Sequence, residues 1–275
     1  MKTNRHPLTF AVMVFLALLF AAPVVIVLYN SFKGKLYISS EPFGLPNGTS
    51  FVGISNYVAG AAKINFFDAF GYSLFITVCS VAVIVLFTSM TAWFIVRVKS
   101  RLTAIFYYLL VFSMIVPFQM VMFAMSKLSN MLGLGNPAGI ILIYLGFGAG
   151  LSTFLFCGFV KSIPIDIEES AMIDGCNPLQ TYFKIVFPVL RPTAVTVAIL
   201  NTMWIWNDYL LPTLVLEGKY RTIPMAIQYL RGGYGSIDMG HMMAMLVLAI
   251  LPIIVFYMTC QKYIIKGVVA GAVKG

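Results

Sequence analysis

Six long stretches of this chain contain no aspartate, glutamate, lysine or arginine, and this feature limits the possible folds more than any other. A hydrocarbon core about 30 Å thick is crossed by roughly 20 helical residues, because each residue advances an α-helix by about 1.5 Å. Five of the stretches reach that length, and the fifth in order reaches it by continuing past Asp208 to Leu216. The stretches are residues 7–32, 69–96, 102–126, 128–160, 192–207 and 239–261.

The pattern therefore predicts an all-α membrane protein with six transmembrane helices. The composition agrees, since 60% of the 275 residues are hydrophobic, only 10% are charged and the mean hydropathy is +0.94. A soluble domain of this length could not enclose so much apolar side chain, so the bilayer is expected to be the solvent. The predicted spans are about 8–32, 69–96, 102–126, 137–160, 191–215 and 239–262.

The net charge of +9 is explained by the distribution of lysine and arginine among the predicted loops. With a cytoplasmic N-terminus, eleven of these residues lie inside and seven outside, and the short loop 97–101 holds three of the eleven. An excess of lysine and arginine on the cytoplasmic side determines membrane orientation. The sequence thus predicts that both termini are cytoplasmic and that no nucleic acid is bound.

The first 22 residues allow one alternative, a cleaved secretory signal, because Lys2 and Arg5 precede an apolar run that ends at Ala21-Ala22-Pro23. The apolar run continues to Leu28, however, and Pro23 would stand at the cleaved bond. A retained first span is the prediction.

Cysteine spacing and phosphate-binding motifs indicate no metal and no nucleotide site. The four cysteines, Cys79, Cys157, Cys176 and Cys260, are widely separated and suit small apolar packing positions. A Walker A motif requires Gly-x4-Gly-Lys-Ser/Thr to enclose phosphates, and this sequence has no such run. We therefore expect no metal, no cofactor and no enzymatic activity in this chain.

Residues 162–190 form the longest polar interruption on the predicted cytoplasmic side. Pro164 suits the first position of a short helix, with Asp166, Glu168 and Glu169 in its early turns, where the helix dipole favours anions. Gly175 is expected to end that helix in a left-handed conformation.

A second short helix is predicted directly after Gly175. Asn177 is its expected cap, Pro178 its first residue and Gln180 its third, a variant of the capping box. Pro188 and Pro192 are expected to end it and to lead into span five. Two uses of this helix pair remain open at this point: a rigid projection that enters a groove of a cytoplasmic partner, or an amphipathic connector lying on the membrane through Ile163, Ile167, Ile173 and Phe183.

The same segment resembles the EAA loop of bacterial ABC-importer permeases. Their pattern is Glu-Ala-Ala-x3-Gly-x9-Ile-x-Leu-Pro, and this chain has Glu169-Ser170-Ala171, Gly175, Ile185 and Phe187-Pro188 at the same spacing. Serine replaces alanine at 170 and phenylalanine replaces leucine at 187.

Two further stretches are similar to the carbohydrate branch of that family. Trp206-Asn207-Asp208-Tyr209-Leu210-Leu211-Pro212 resembles its Trp-Asn-Asp-aromatic-Leu-Leu-Pro run. The tail Ala270–Gly275 is similar to that of the maltose-type permease subunit that pairs with a longer, non-identical permease.

The resemblance implies the transmembrane domain of a type I ABC importer for a sugar, in the bacterial cytoplasmic membrane. It implies as partners a second permease, two ATPase subunits that bind ATP and Mg, and an extracytoplasmic sugar-binding protein. The residues implied to couple to the ATPase are Glu168, Glu169, Ser170, Ala171, Asp174, Gly175, Ile185 and Pro188, and the tail residues implied to reach its interface are Gly271, Lys274 and Gly275.

Asp208 is the one carboxylate inside a predicted span, which makes it a functional candidate. Seventeen residues separate it from Arg191, or roughly 25 Å of helix, so that it lies near the outer boundary and a structural cap is an equal alternative. Aromatic and amide groups suit sugar rings and hydroxyls. The candidate substrate path is Gln119, Asn201, Trp204, Asn207 and Asp208.

Two other kinds of function compete with an ABC permease. An ion-coupled secondary transporter or channel needs ionisable residues at the centre of the membrane, and only Asp208 is available. A membrane scaffold without transport is the second alternative, in which residues 162–190 only connect two spans.

Overall fold

The computed structural model describes residues 7–230 and 238–272, with side chains placed for residues 8–230 and 238–261. Within these residues the regular structure is helical, apart from one isolated antiparallel bridge between Lys33 and Phe51. A π-helical segment spans Tyr182–Val186. In chain order the helices are α1 (Pro7–Asn30), α2 (Lys35–Ser40), α3 (Ser55–Lys63), α4 (Phe66–Arg97), α5 (Arg101–Ser113), α6 (Phe118–Met131), α7 (Pro137–Val160), α8 (Asp166–Ile173), α9 (Pro178–Thr181), α10 (Phe187–Asn207), α11 (Leu210–Val215), α12 (Ile223–Gln228) and α13 (Met239–Ala272).

Five helices in the described part of the chain are long and apolar enough to cross a membrane. The predicted all-α membrane class is confirmed. α5 and α6 pass the same test only as a pair, bent by 106°, so the chain has five candidate spans, or six if this pair is one span. The five are Leu8–Asn30, Phe66–Arg97, Pro137–Val160, Pro178–Asn207 and Met239–Gln261.

The span predicted at 102–126, which contains Pro117, corresponds in the structure to the two helices α5 and α6 with a bend of 106° between them. α5 begins at a capping box, in which Ser100 and Thr103 exchange side-chain to backbone hydrogen bonds of 3.1 Å. The helix stops at Ser113, and Pro117 caps α6 in an extended conformation with ψ of 134°. Proline lacks an N–H and disfavours helical geometry at the residue before it, which accounts for a full break at this point.

α7 begins where span four was predicted to begin, is capped by Asn136, and packs closely against its neighbours. The Asn136 side chain accepts hydrogen bonds from the N–H groups of Ala138 and Gly139, at 3.1 and 3.0 Å, and Pro137 is the first helical residue. α7 packs against α5 and α10. A Cβ at Gly150 would lie 2.6 Å from the Leu110 carbonyl oxygen, so glycine sets the distance between α5 and α7.

The predicted end of the second short helix at Pro188 and Pro192 is wrong. α9, the π-helical segment and α10 form one continuous helix from Pro178 to Asn207, with Pro192 inside it. A proline removes one backbone donor and crowds the carbonyl of the preceding turn. The wider π-helical turn at Tyr182–Val186 precedes Pro188 directly, where it relieves that crowding without ending the helix.

By packing, the described chain divides into two units. One comprises the residues up to Ala69 with Ile223–Ile254, and the other comprises Phe70–Thr222 with the residues from Val255 onward. The second unit contains every predicted coupling and substrate-path residue, so it positions the candidate sites.

In the first unit, a network of hydrogen bonds orders the segment that follows α1. The Asn56 amide donates to the carbonyl oxygens of Ser31 and Lys33 at 2.8 and 2.9 Å, and the buried Lys33 amine donates to the Glu41 carbonyl oxygen at 2.8 Å. This unit also holds Asp238, whose carboxylate lies 3.2 Å from the Lys63 amine. Burial raises the pKa of Asp238, but the hydrogen bond from Lys63 and the neighbouring His241 outweigh burial and leave the pKa below its ordinary value.

Candidate functional site

The segment 162–190 contains both helix starts that its local sequence predicts, although the second helix continues to Asn207 instead of ending within the segment. α8 begins at Asp166, two residues after the predicted start at Pro164, and carries Asp166, Glu168 and Glu169 in its first turn. Carboxylates at this end interact favourably with the exposed backbone N–H groups of the helix.

α8 ends in a Schellman motif around Gly175, as predicted. Gly175 has φ of +87°, its N–H donates to the Met172 carbonyl oxygen, and the Cys176 N–H donates to the Ala171 carbonyl oxygen, both at 3.0 Å. The next helix begins at once, because Asn177 and Gln180 exchange hydrogen bonds of 2.9 Å in a capping box. The turn between α8 and α9 is therefore fixed at both ends.

Glu168 points into the protein rather than outward. Its carboxylate accepts two hydrogen bonds from the Arg97 guanidinium, at 2.7 and 3.1 Å, and one from the Trp93 indole N–H, at 2.9 Å. Arg97 also donates to the Ile163 carbonyl oxygen at 3.0 Å. Because the Glu168 side chain is only 2% exposed, its contacts are with α4 and not with solvent.

A second contact joins the far side of the segment to α4. The hydroxyl groups of Tyr182 and Ser89 lie 2.6 Å apart, and the Tyr182 ring lies 5.5 Å from that of Trp93. Tyr182 is fully buried. The segment thus has a packed inner face formed by residues from both of its helical parts.

The outer face of the segment is acidic and apolar. Glu169, Ser170, Asp174 and Pro188 are exposed, and the Ile173 side chain is 86% exposed. Ile185 is half-buried and Ala171 is buried. Of the predicted coupling residues, therefore, Glu169, Ser170, Asp174, Gly175 and Pro188 are accessible to a partner, and Glu168 and Ala171 belong to the inner face.

Sequence reasoning missed the partners of Glu168. Arg97 contributed only to the topology prediction, as one of three cations in a short loop, and Trp93 had no role. The available signal was the spacing of Trp93 and Arg97, since residues four apart share one helix face.

The candidate substrate path is centred on a helix break at Asp208. This carboxylate accepts a hydrogen bond from the Tyr144 hydroxyl at 3.0 Å, and its other oxygen accepts from the backbone N–H groups of Leu210 and Leu211 at 3.0 and 3.3 Å. Trp204 packs edge-to-face on Tyr144, with ring centroids 5.4 Å apart. Trp204 and Asp208 are thus brought together by Tyr144, which sequence reasoning did not select.

The other three path residues lie apart from this cluster. The buried Asn201 amide donates to the Ser152 hydroxyl at 3.1 Å and to the Val197 carbonyl oxygen at 2.8 Å, so that it joins α10 to α7. Asn207 is exposed, and its amide donates to the Met203 carbonyl oxygen at 2.7 Å. Gln119 is exposed in the first turn of α6.

Asp208→Ala is expected to destabilise the helix break, and Asp208→Asn is expected to do so far less. Alanine removes the cap of α11 and leaves the buried Tyr144 hydroxyl without its acceptor, a loss of about 1–3 kcal/mol. Asparagine keeps an oxygen that accepts the same backbone bonds. The unfolding temperatures of both variants, purified in detergent, measure the effect. Equal losses of stability would show that the retained amide oxygen does not replace the carboxylate.

The predicted ATPase-interface tail is described only in part. Gly271 lies in the last turn of α13, whereas Lys274 and Gly275 lie outside the described residues.

Known proteins are similar to this chain along most of its length. The model of the family described as the binding-protein-dependent transport system inner membrane component matches residues 84–269. The probable starch degradation products transport system permease protein AmyC of Thermoanaerobacterium thermosulfurigenes is 40% identical, over 98% of this chain and 97% of that protein. The multiple sugar-binding transport system permease protein MsmG of Streptococcus mutans is 36% identical, over 94% and 93%.

A similar structure has also been solved. It is a chain in the crystal structure of a bacterial ABC transporter involved in the import of the acidic polysaccharide alginate. That chain matches with a TM-score of 0.77 at 22% identity, over 96% of this chain and 98% of its own length, which establishes a shared fold.

Proposed function

Since this chain belongs to the family of binding-protein-dependent transport system inner membrane components, we propose that it forms half of the translocation path of an importer for a sugar or oligosaccharide. It is a multi-pass permease subunit with the transmembrane-domain fold of a type I ABC importer. Permease subunits of this family are transport components without a catalytic role or a cofactor, because the ATPase handles ATP.

The carbohydrate substrate class is supported by the relatives. AmyC is named for starch degradation products and MsmG for multiple sugars. A third relative, 31% identical, is the melibiose/raffinose/stachyose import permease protein MelC of Bacillus subtilis. All three cover more than nine tenths of this chain. The sugar itself and its length are left open by this range of substrates.

The proposed assembly contains a second, non-identical permease, two ATPase subunits and an external sugar-binding protein. The excess of lysine and arginine in the predicted inner loops supports a cytoplasmic location for both termini and for the segment 162–190. A crystal structure of a bacterial alginate ABC transporter in complex with a periplasmic protein matches this fold with a TM-score of 0.66.

The observation that carries the coupling role is the outer face of the segment 162–190. Asp166, Glu169 and Asp174 are exposed there beside Ile173, and Lys184 is the exposed cation of the segment. A connector lying on the cytoplasmic leaflet would bring these carboxylates against anionic lipid headgroups, which attract basic rather than acidic segments. A groove in the ATPase with basic residues at its rim and apolar residues at its floor would pair with the carboxylates and bury the exposed isoleucine.

Transport by the tagged complex, purified from its own cells and placed in proteoliposomes, tests this function. We expect ATPase subunits to co-purify, and uptake of labelled maltooligosaccharides to require ATP on the side of the segment 162–190. Uptake that follows a proton gradient, without any ATP-hydrolysing partner, would instead establish the ion-coupled transporter.

Glu169→Lys is expected to weaken ATPase association by about tenfold or more, because a like-charge contact at an interface costs binding energy. The matched control is Glu217→Lys, another exposed carboxylate, whose partner is the exposed Lys219 at 3.1 Å. Retention of ATPase by each variant on an affinity column is the measurement. Equal retention by both variants would show that Glu169 lies outside the interface.

A further inference from the structure

Three residues of α4 form one stripe aimed at the segment 162–190. Ser89, Trp93 and Arg97 are each four residues apart, so they lie on the same face of the helix over about 12 Å of its length. Each one makes a hydrogen bond to the segment: Ser89 with Tyr182, Trp93 with Glu168, and Arg97 with both Glu168 and Ile163. α4 is otherwise strongly apolar, so this stripe is a specific attachment.

Both oxygens of the Glu168 carboxylate are engaged in this attachment. One oxygen accepts two bonds from Arg97 and the other accepts one from Trp93. Burying a carboxylate is costly unless fixed donors replace its water, and here every donor comes from α4. A carboxylate that is only 2% exposed and turned toward α4 does not contact an ATPase, so Glu168 is a positioning residue.

The attachment resists rotation as well as separation. A single contact would act as a hinge, but contacts at Ile163 and Glu168, before the Gly175 turn, and at Tyr182, after it, hold both helical parts against α4. The ion pair between Arg97 and Glu168 is largely shielded from solvent, since the two side chains are 18% and 2% exposed.

We infer that Arg97, Trp93 and Glu168 form a clamp through which movement of the segment 162–190 is transmitted directly to α4. This inference rests on the proposed coupling of the segment to an ATPase. α4 then moves together with α10, whose continuous helix begins inside the segment at Pro178. Movement of α4 is passed on to α7, because Ile84 of α4 packs directly on Gly148 of α7. A Cβ added at Gly148 would lie 2.8 Å from the Ile84 side chain.

Glu168→Gln tests the clamp in the assembled complex. The amide keeps the size of the side chain but loses its charge, and its NH2 group opposes the Trp93 N–H donor. We expect the ATP hydrolysed per sugar transported to rise about 2–30-fold, the range for changes along a coupling network, while assembly and sugar-stimulated ATP hydrolysis are retained. Arg101→Gln, an exposed arginine of the same loop, is the matched control and should leave the ratio unchanged.

A purely structural role would lower uptake and hydrolysis together, in proportion to the assembled complex, and would leave their ratio at the wild-type value. That result would overturn the clamp. If Glu168→Gln fails to assemble, the double variant Arg97→Met with Glu168→Met removes both charges and leaves neither unpaired. The ATP hydrolysed per sugar transported by this double variant then tests the clamp in the same way. Absence of an ATPase from the wild-type complex would refute the proposed function instead, so the two failures are distinguishable.

Discussion

Gly150→Val is expected to push α5 away from α7 and to lower the ratio of folded to unfolded protein about fivefold or more, since overpacking of this kind costs about 1–3 kcal/mol. A Cβ at position 150 would lie 2.6 Å from the Leu110 carbonyl oxygen and 2.8 Å from the Ser113 hydroxyl oxygen. The first of these is a backbone atom, which cannot turn aside as a flexible side chain can. The helices themselves must separate, and every contact between them is weakened.

Gly146→Val is the matched control for this prediction. Gly146 lies about one turn earlier in the same helix, and a Cβ there would meet nothing within 4 Å. Both variants carry the same loss of side-chain freedom in a helix, so the difference between them isolates the contact with α5. Size-exclusion chromatography in detergent, with thermal unfolding of the monodisperse fraction, measures both. Equal yields and equal Tm values would contradict the close packing of α5 on α7.

Gly175→Val is expected to reduce uptake about tenfold or more while the chain still inserts in the membrane. Space is not the reason, since a Cβ at this position would meet nothing within 4 Å. The reason is the backbone conformation of Gly175, whose φ is +87°. A left-handed conformation costs an L-residue roughly 1–2 kcal/mol, and β-branched residues such as valine adopt it least readily. Valine should therefore open the Schellman motif and change the angle between α8 and α9.

Gly175→Asn separates this conformational reason from a simple need for a small side chain. Asparagine adopts the left-handed region more readily than other residues with a Cβ, so it should retain much more uptake than valine. Uptake into proteoliposomes and ATPase retention are measured on the same preparations. Full uptake by the valine variant would show that the shape of this turn plays no part in coupling.

Local signals predicted the membrane class correctly and marked three of the helix boundaries. Uncharged runs indicated the spans, and Asn136-Pro137, Gly175 and Asn177 mark helix boundaries in the structure as they did in the sequence. Each of these signals acts within three or four residues of chain, through a cap or a left-handed turn. Such interactions are nearly independent of what packs around them.

Prolines show where local signals were insufficient. Pro117, expected to kink one span, stands at a 106° break between α5 and α6. Pro188 and Pro192, expected to end a helix, lie within a continuous one that accommodates them after a π-helical turn. A proline weakens the helix in every case, and the surrounding packing decides whether the chain breaks or continues.

By itself, the sequence determined that this chain spans a membrane and that two helices meet at the Gly175–Asn177 turn of the segment 162–190, because burial of apolar runs and helix caps depend on near neighbours. Only the tertiary structure decided which face of that pair turns inward. Glu168 meets Arg97 across 71 residues of chain, and Asp208 meets Tyr144 across 64. Contacts at such separations exist only after helices have packed, since packing sets which side chains share a buried site with their donors.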